Sequence, residues 1–176
     1  MKRERRHRRR LLRQPQPEAT HVPVLLEAAI ELLNVRPGAR YIDCTVGGGG
    51  HAAAILEGCL PGGSLLGMDA DPKAIETAGK NLEHYGSAVT LVNENFRQLE
   101  DTCNEHTFSP VDGILFDLGM SSLQLEDQER GFSFRFDAPL DMRFSPAQSE
   151  TAAHMLNTLS QSELAAILSR YGEEHQ

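Results

Sequence analysis

The chain has 176 residues, of which 40% are apolar and 24% charged, the size and balance of one domain that buries a core. No apolar run approaches the ~20 residues that span a bilayer, and Cys44, Cys59 and Cys103 share no C-x-x-C spacing, which argues against a disulfide scaffold or a cysteine zinc site and fits a reducing cytoplasm. The net charge of −8 conceals an asymmetry: residues 1–13 hold eight Lys/Arg against one Glu, whereas residues 14–176 hold nine against 24 Asp/Glu, and so acidic a body is a poor binder of phosphate backbone by itself.

Residues 1–20 read as a disordered basic tail. No apolar stretch follows the arginines, so a secretory signal is not supported, and the absence of Ser argues against a transit peptide. A non-specific RNA-contacting arm is the sharper reading of the same residues. From Val24 the apolar positions Val24, Leu25, Ala28, Ala29, Leu32 and Leu33 recur at helical spacing, and Asn34, Pro37 and Gly38 end the run.

A strand, Tyr41–Cys44, then leads into Gly47–Gly50, and a helix follows from about His51 through Leu56. Ser64–Asp69 reads as strand two. Asp71 followed by Pro72 is a helix start, supported by the Glu76–Lys80 pair. Val89–Val92 and Gly113–Asp117 are strands three and four. Short apolar strands alternating with helices predict a parallel sheet covered on both faces, a doubly wound α/β fold. Residues 118–148 read as a long loop region rich in Ser, Phe and Asp. Two helices follow, the second opened by a Ser160/Glu163 capping box and closed by Gly172.

The glycines between a strand end and a helix start let the backbone approach a ligand, and the helix beyond presents free N–H groups. Asp69, at the end of strand two, is where an acid can accept both ribose hydroxyls of a nucleoside. Two cofactor classes fit. Gly47-x-Gly49-x-x-Ala52 satisfies a dinucleotide fingerprint, which would make the chain a nicotinamide or flavin oxidoreductase. Against that, Asp43 precedes the glycines, where a carboxylate opposes a pyrophosphate but suits the sulfonium and ammonium of S-adenosylmethionine. A purely structural glycine turn is the third reading.

Several blocks are more specific: His21-Val22-Pro23-Val24; Asp43-Cys44-Thr45-Val46-Gly47-Gly48-Gly49-Gly50-His51; Asp69-Ala70-Asp71-Pro72; Asp117-Leu118-Gly119-Met120-Ser121-Ser122 leading to Gln124; Glu129-Arg130-Gly131-Phe132-Ser133-Phe134; Pro139-Leu140-Asp141-Met142-Arg143; and Tyr171-Gly172-Glu173-Glu174. In order and interval they resemble the family of small-subunit ribosomal RNA methyltransferase H, over residues ~21–174. Leu123, where the family has proline, and Phe144-Ser145 depart from its pattern.

The resemblance implies a Rossmann-like S-adenosylmethionine-dependent methyltransferase core over 21–120, with the loop region and the start of a helical substrate-recognition lobe over 121–176. It implies methyl transfer to the exocyclic N4 of a cytidine in the decoding centre of 16S rRNA, within the small ribosomal subunit, in the cytoplasm. Carried over by position, Gly49, Gly50 and His51 line the cofactor, Asp69 holds its ribose, Phe96 packs near the adenine, and Asp117 and Gln124 lie toward the methionine end. Asp117 is the candidate catalytic acceptor. Phe132, Phe134 and Phe136 are candidate base platforms, with packing of the lobe as the alternative, and Arg130, Arg135 and Arg143 are candidate phosphate contacts. The family's sheet has seven strands in order 3-2-1-4-5-7-6, and four are read here. The expectation is therefore a C-terminally truncated chain with Ile114, Leu115 and Phe116 on an open edge, prone to self-association and weakly active or inactive, or else a catalytically dead S-adenosylmethionine-binding module.

Overall fold

The computed structural model describes Pro23 and residues 25–174. The basic tail, His21, Val22 and Val24 lie outside the described residues. The elements run α1 (Leu26–Leu32), β1 (Arg40–Asp43), α2 (Gly50–Cys59), β2 (Ser64–Met68), α3 (Pro72–Leu82), β3 (Val89–Val92), α4 (Leu99–Glu105), β4 (Gly113–Leu115), α5 (Ser122–Glu126), α6 (Ala152–Thr158) and α7 (Gln161–Gly172). All strand pairs are parallel, in the order β3-β2-β1-β4. The doubly wound arrangement expected from the sequence is present. Ile42 of β1 sits opposite Leu66 of β2 and Ile114 of β4, so the carboxyl ends of β1 and β2 lie side by side.

Successive strand residues feed opposite faces. Tyr41 and Leu65 join Ile55, Leu56 and Cys59 of α2 and Ala78 and Leu82 of α3 in one core. Ile42, Leu66 and Met68 join Cys44 and Phe108 in the other, with Leu99 and Cys103 of α4 against them. Burial on both faces explains why these strands are continuous apolar runs. Helix α3 starts as read: Asp71 accepts the Lys73 amide at 3.0 Å, with Pro72 in the first turn. Glu76 and Lys80 pair at 2.6 Å.

Four details differ from the sequence reading. α1 begins at Leu26, and Leu25 and Leu32 are exposed while Ile30 and Leu33 pack inward. Adjacent leucines at 32 and 33 satisfied the helical spacing in either of two phases, and the chain takes the one through Ile30. β4 stops at Leu115, not Asp117, because β1 has already ended and the Asp117 amide donates instead to Thr45 Oγ1 at 2.7 Å. The loop region contains α5, opened by a Ser121/Gln124 capping box. α7 runs through Gly172, and the left-handed residue that ends it is Glu173.

The turn from α1 into β1 hangs on one side chain. Fully buried Tyr41 donates its hydroxyl to the Asn34 carbonyl and accepts the Arg36 amide, both at 3.1 Å. Tyr41→Phe leaves both backbone groups without this partner and is expected to cost about 1–2 kcal/mol. Urea unfolding reads this as a lower midpoint at unchanged slope, and an unchanged midpoint would show that Tyr41 holds the turn by packing alone.

Candidate functional site

The candidate site forms at the carboxyl edge of the sheet, where β1 turns into α2. Gly49 is the N-cap of α2 at φ +89°, a left-handed conformation, and a Cβ there would lie 3.2 Å from Leu82. Only glycine meets both conditions cheaply. Gly50 opens the helix and His51 follows in its first turn. Asp69, directly after β2, accepts the Gly47 amide on Oδ2 and the Asp71 amide on Oδ1, each at 2.9 Å. Asn93, just past β3, donates to the Asp69 carbonyl at 2.8 Å. The acid thus fixes the glycine turn against the start of α3.

Asp43 closes β1 and is 1% exposed. Its Oδ1 accepts the Thr45 amide at 3.1 Å, while its Oδ2 has no partner among the described residues. Burial foremost, then the neighbouring charges of Asp69 and Asp117, push its carboxyl up to about 7. Asp69 is also raised, again chiefly by burial. His51 is buried, which lowers its pKa, and its Nδ1 stands 3.6 Å from Asp117 Oδ2. At neutral pH its imidazole is therefore uncharged. Three carboxylates converge on one glycine turn with a neutral histidine beside them. That donor set fits a positively charged ligand and opposes a phosphate.

The remaining residues singled out from the sequence lie on the same edge. Phe96 follows β3 by a few residues, is 39% exposed, and meets Phe116 edge-on with centroids 5.6 Å apart. Asp117 has an exposed side chain held by its amide contact to Thr45. Gln124 is buried: its Oε1 accepts the Ser121 amide, and its Nε2 donates to Asp71 Oδ2 at 3.4 Å.

Arg130 and Arg143 do not stand out as phosphate contacts. Arg130 is half of a buried ion pair with Asp71, and Arg143 grips Asp141 at 2.7 Å and the carbonyls of Pro146 and Gln148. Arg135 is exposed. Phe132 packs against Phe144, whereas Phe134 is fully exposed. Sequence reasoning gave no role to Thr45, though it stands in one of the motif blocks, or to Asn93. Each is a short polar residue within two positions of a strand's carboxyl end, and that placement is the signal that could have found them.

A family profile described as the MraW methylase family matches residues 18–176. The chain belongs to the MraW methylase family. Among curated relatives, "Ribosomal RNA small subunit methyltransferase H" of Dehalococcoides mccartyi is 55% identical over 157 residues, covering 89% of this chain and 45% of the relative. The protein of the same name from Thermomicrobium roseum is 50% identical over 167 residues, covering 95% and 51%. The chain spans about half the length of the curated relatives it matches. Among solved structures, Aeropyrum pernix fibrillarin in complex with S-adenosyl-L-methionine aligns at TM-score 0.45 and 19% identity, covering 53% of this chain and 42% of that one. For this MraW-family chain, the sheet order and the glycine turn described above are the part of the fold that holds the candidate site.

The electrostatics of that turn set a pH dependence. Unfolded, Asp43 ionises near 3.8; folded, it keeps its proton to about 7. Between these values the folded state binds the additional proton, so stability falls as pH rises through the window, and the loss is complete above it. Asp69 adds to the same trend. Asp43→Asn is expected to flatten much of the decline and to stabilise the ligand-free chain at pH 8 by on the order of 3 kcal/mol. Urea midpoints at pH 5 and 8 measure this, and parallel declines in both proteins would remove Asp43 as the cause.

Proposed function

We propose that this chain is the cofactor-binding part of an S-adenosylmethionine-dependent rRNA methyltransferase whose target is the N4 amine of a cytidine in the decoding centre of 16S rRNA. The observation that carries the cofactor is the buried Asp43 with its unpartnered oxygen beside the glycine turn. A dinucleotide would bring a pyrophosphate to that carboxylate, and repulsion in a water-poor site is costly. S-adenosylmethionine brings an ammonium and a sulfonium and no phosphate. Family membership and relatives named for the small-subunit rRNA support the substrate class, and the cytosine N4 and decoding-centre assignments rest on the motif resemblance. On this reading the protein acts in the cytoplasm. Among the described residues no helix is long and apolar enough to cross a membrane.

On this reading residues 21–120 form the cofactor part and 121–176 the approach to the target. Gly49, Gly50 and His51 line the cofactor, His51 as a neutral group that adds no positive charge near the sulfonium. Asp69 takes the ribose hydroxyls on the lone pairs that the Gly47 and Asp71 amides leave open. Phe96, already half of an aromatic pair, offers a face to the adenine. Asp117 and Gln124 belong to the methionine end, Gln124 through the α5 cap that it anchors. Bound S-adenosylmethionine supplies a methyl group on a cationic sulfur. The cytosine amine is a poor nucleophile because its lone pair is delocalised into the ring. An acceptor at the amino hydrogens turns that lone pair toward the methyl and takes the proton that leaves as the new C–N bond forms and the methyl–sulfur bond breaks, its electron pair remaining on sulfur as a thioether. Asp117, exposed and fixed by Thr45, is the residue assigned to that acceptance.

Calorimetric titration with S-adenosylmethionine, with NAD as the control ligand, tests the reading. Saturable binding of S-adenosylmethionine alone is expected, weakened about tenfold or more by Asp43→Asn, since a charge-assisted contact is worth roughly 1.5–3 kcal/mol. Binding of NAD alone overturns it.

A specific feature of β4 also favours self-association of the isolated chain. Among the described residues β4 pairs only with β1; of the three residues expected on the open edge, Ile114 in the strand and Phe116 just after it are 40% and 45% exposed, whereas Leu115 is half-buried against the core. An apolar strand edge recruits further strands. Sedimentation is expected to show dimers or larger species that Ile114→Lys reduces. A monomeric wild-type chain with robust turnover on rRNA would sink both the association and the expected weak activity.

A further inference from the structure

The glycine turn and the 118–148 region are joined by a continuous run of hydrogen bonds. Arg130 Nη1 donates to Asp71 Oδ2 at 3.0 Å, with side-chain exposures of only 15% and 5%. The Asp71 amide donates to Asp69 Oδ1, and Asp69 Oδ2 accepts the Gly47 amide. On its other side Arg130 Nη2 donates to the carbonyls of Arg143 at 2.6 Å and Phe144 at 3.0 Å. Its own carbonyl accepts the Met142 amide at 2.9 Å. Gly131 beside it sits at φ +70°, where a Cβ would come within 2.3 Å of the Pro139 carbonyl, so this segment closes around Arg130 backbone against backbone.

We propose that Arg130 is a positioning residue that couples the 118–148 region to the glycine turn through Asp71 and Asp69, so that closure of that region and cofactor binding strengthen each other. The proposal rests on the glycine turn being the cofactor site. Asp71 divides its carboxylate: Oδ1 caps α3 at the Lys73 amide, and Oδ2 receives Arg130 and Gln124. A buried carboxylate that loses its guanidinium is left uncompensated, and the strain falls on the segment whose amide holds Asp69. Whatever favours one end of the run favours the other, because a coupling free energy is reciprocal. The neighbouring Lys73–Asp127 side-chain pair, at 2.6 Å, also ties α3 to the end of α5; Lys73 bonds the Asp71 carboxylate only through its backbone amide, which Lys73→Met keeps, so this pair serves as the control.

The test measures amide hydrogen exchange at Gly47 and Asp71 by NMR, together with S-adenosylmethionine affinity by calorimetry, in the full chain. Arg130→Met and Asp71→Asn are expected to speed exchange at both amides about tenfold and to weaken S-adenosylmethionine by a similar factor. Ladder amides of Ile42 and Leu66 should be unchanged. Asn caps a helix as well as Asp, so Asp71→Asn decides the matter should Arg130→Met fail to fold. Arg130→Lys should recover part of the effect, and Lys73→Met should leave Gly47 at the wild-type rate. Wild-type exchange at Gly47 in Arg130→Met or Asp71→Asn overturns the coupling. If the wild-type chain binds no S-adenosylmethionine, the cofactor reading fails, while the Gly47 exchange rate still decides the coupling.

Discussion

The register of the glycine turn against the start of α3 depends on the two backbone bonds of Asp69. Ladder hydrogen bonds align β1 with β2 only as far as Asp43 and Gly67. Beyond that point a turn of four glycines has the most backbone freedom to lose, and besides Asp69 it is held by the Gly49 amide on the Val46 carbonyl and by Asn81 on the Gly48 carbonyl, each at 2.8 Å. Val46 still donates to the Met68 carbonyl at 2.9 Å, and then Asp69 takes over by receiving Gly47 on one oxygen and Asp71 on the other. A single carboxylate therefore sets where two successive βα turns stand relative to each other. Substituting an amide would replace one of its two acceptor oxygens by a donor, which would face a backbone N–H.

That arrangement gathers negative charge. Burial raises Asp43 most, and Asp69 and Asp117 sit close enough that each raises it further. An isolated fold gains nothing from such a cluster, because desolvated like charges lower its stability above the pH at which they ionise. The cluster makes sense as one half of an interaction whose other half is a cation. The same carboxylate that weakens the ligand-free chain would then contribute to affinity, and the stability lost at Asp43 would return on binding. His51 follows the same logic, since burial keeps it neutral and so spares the site a competing positive charge.

The sequence made the sheet legible because its signals are redundant. β1, β2 and β3 are short apolar runs, and each is punctuated by glycine, proline or an acid; Asp71-Pro72 and Ser160/Glu163 are caps whose geometry follows from residue type alone. The place of Gly49, Gly50 and His51 in the turn, and of Asp69 after β2, was legible because a turn between a strand and a helix needs few residues to specify it, while their roles toward a cofactor came from the motif resemblance. Side-chain partners were not legible. Arg130 in a Ser- and Phe-rich loop looked like a solvent-facing phosphate contact, and only the fold brings Asp71, 59 positions earlier, to within 3.0 Å of it. The phase of α1 and the end of β4 failed for different reasons. Adjacent leucines at 32 and 33 leave the phase of α1 open, and the end of β4 depends on where β1 stops, which no local pattern encodes. Asp43 lay between these cases: its effect on ligand charge could be read from its place before the glycines, but its missing hydrogen bond could not.

The two parts of the chain are held by different forces. Among the described residues, all but two of the buried apolar ones lie between Ala39 and Leu82, and the exceptions are Phe108 and Phe132. Apolar packing of this kind is insensitive to small displacements of a ligand, and it gives the glycine turn a rigid base. From residue 118 onward the chain is secured chiefly by polar clamps: Arg130 on Asp71, Arg143 on Asp141, Lys73 on Asp127, and the Ser121/Gln124 cap. Few apolar contacts and many bonds to loop backbone place such a segment at the low end of local stability. On the proposed function, a target as large as a structured RNA needs a surface that can rearrange around it, whereas a small cofactor needs one that does not. The boundary between apolar core and polar clamps falls where these two demands meet, at Asp71.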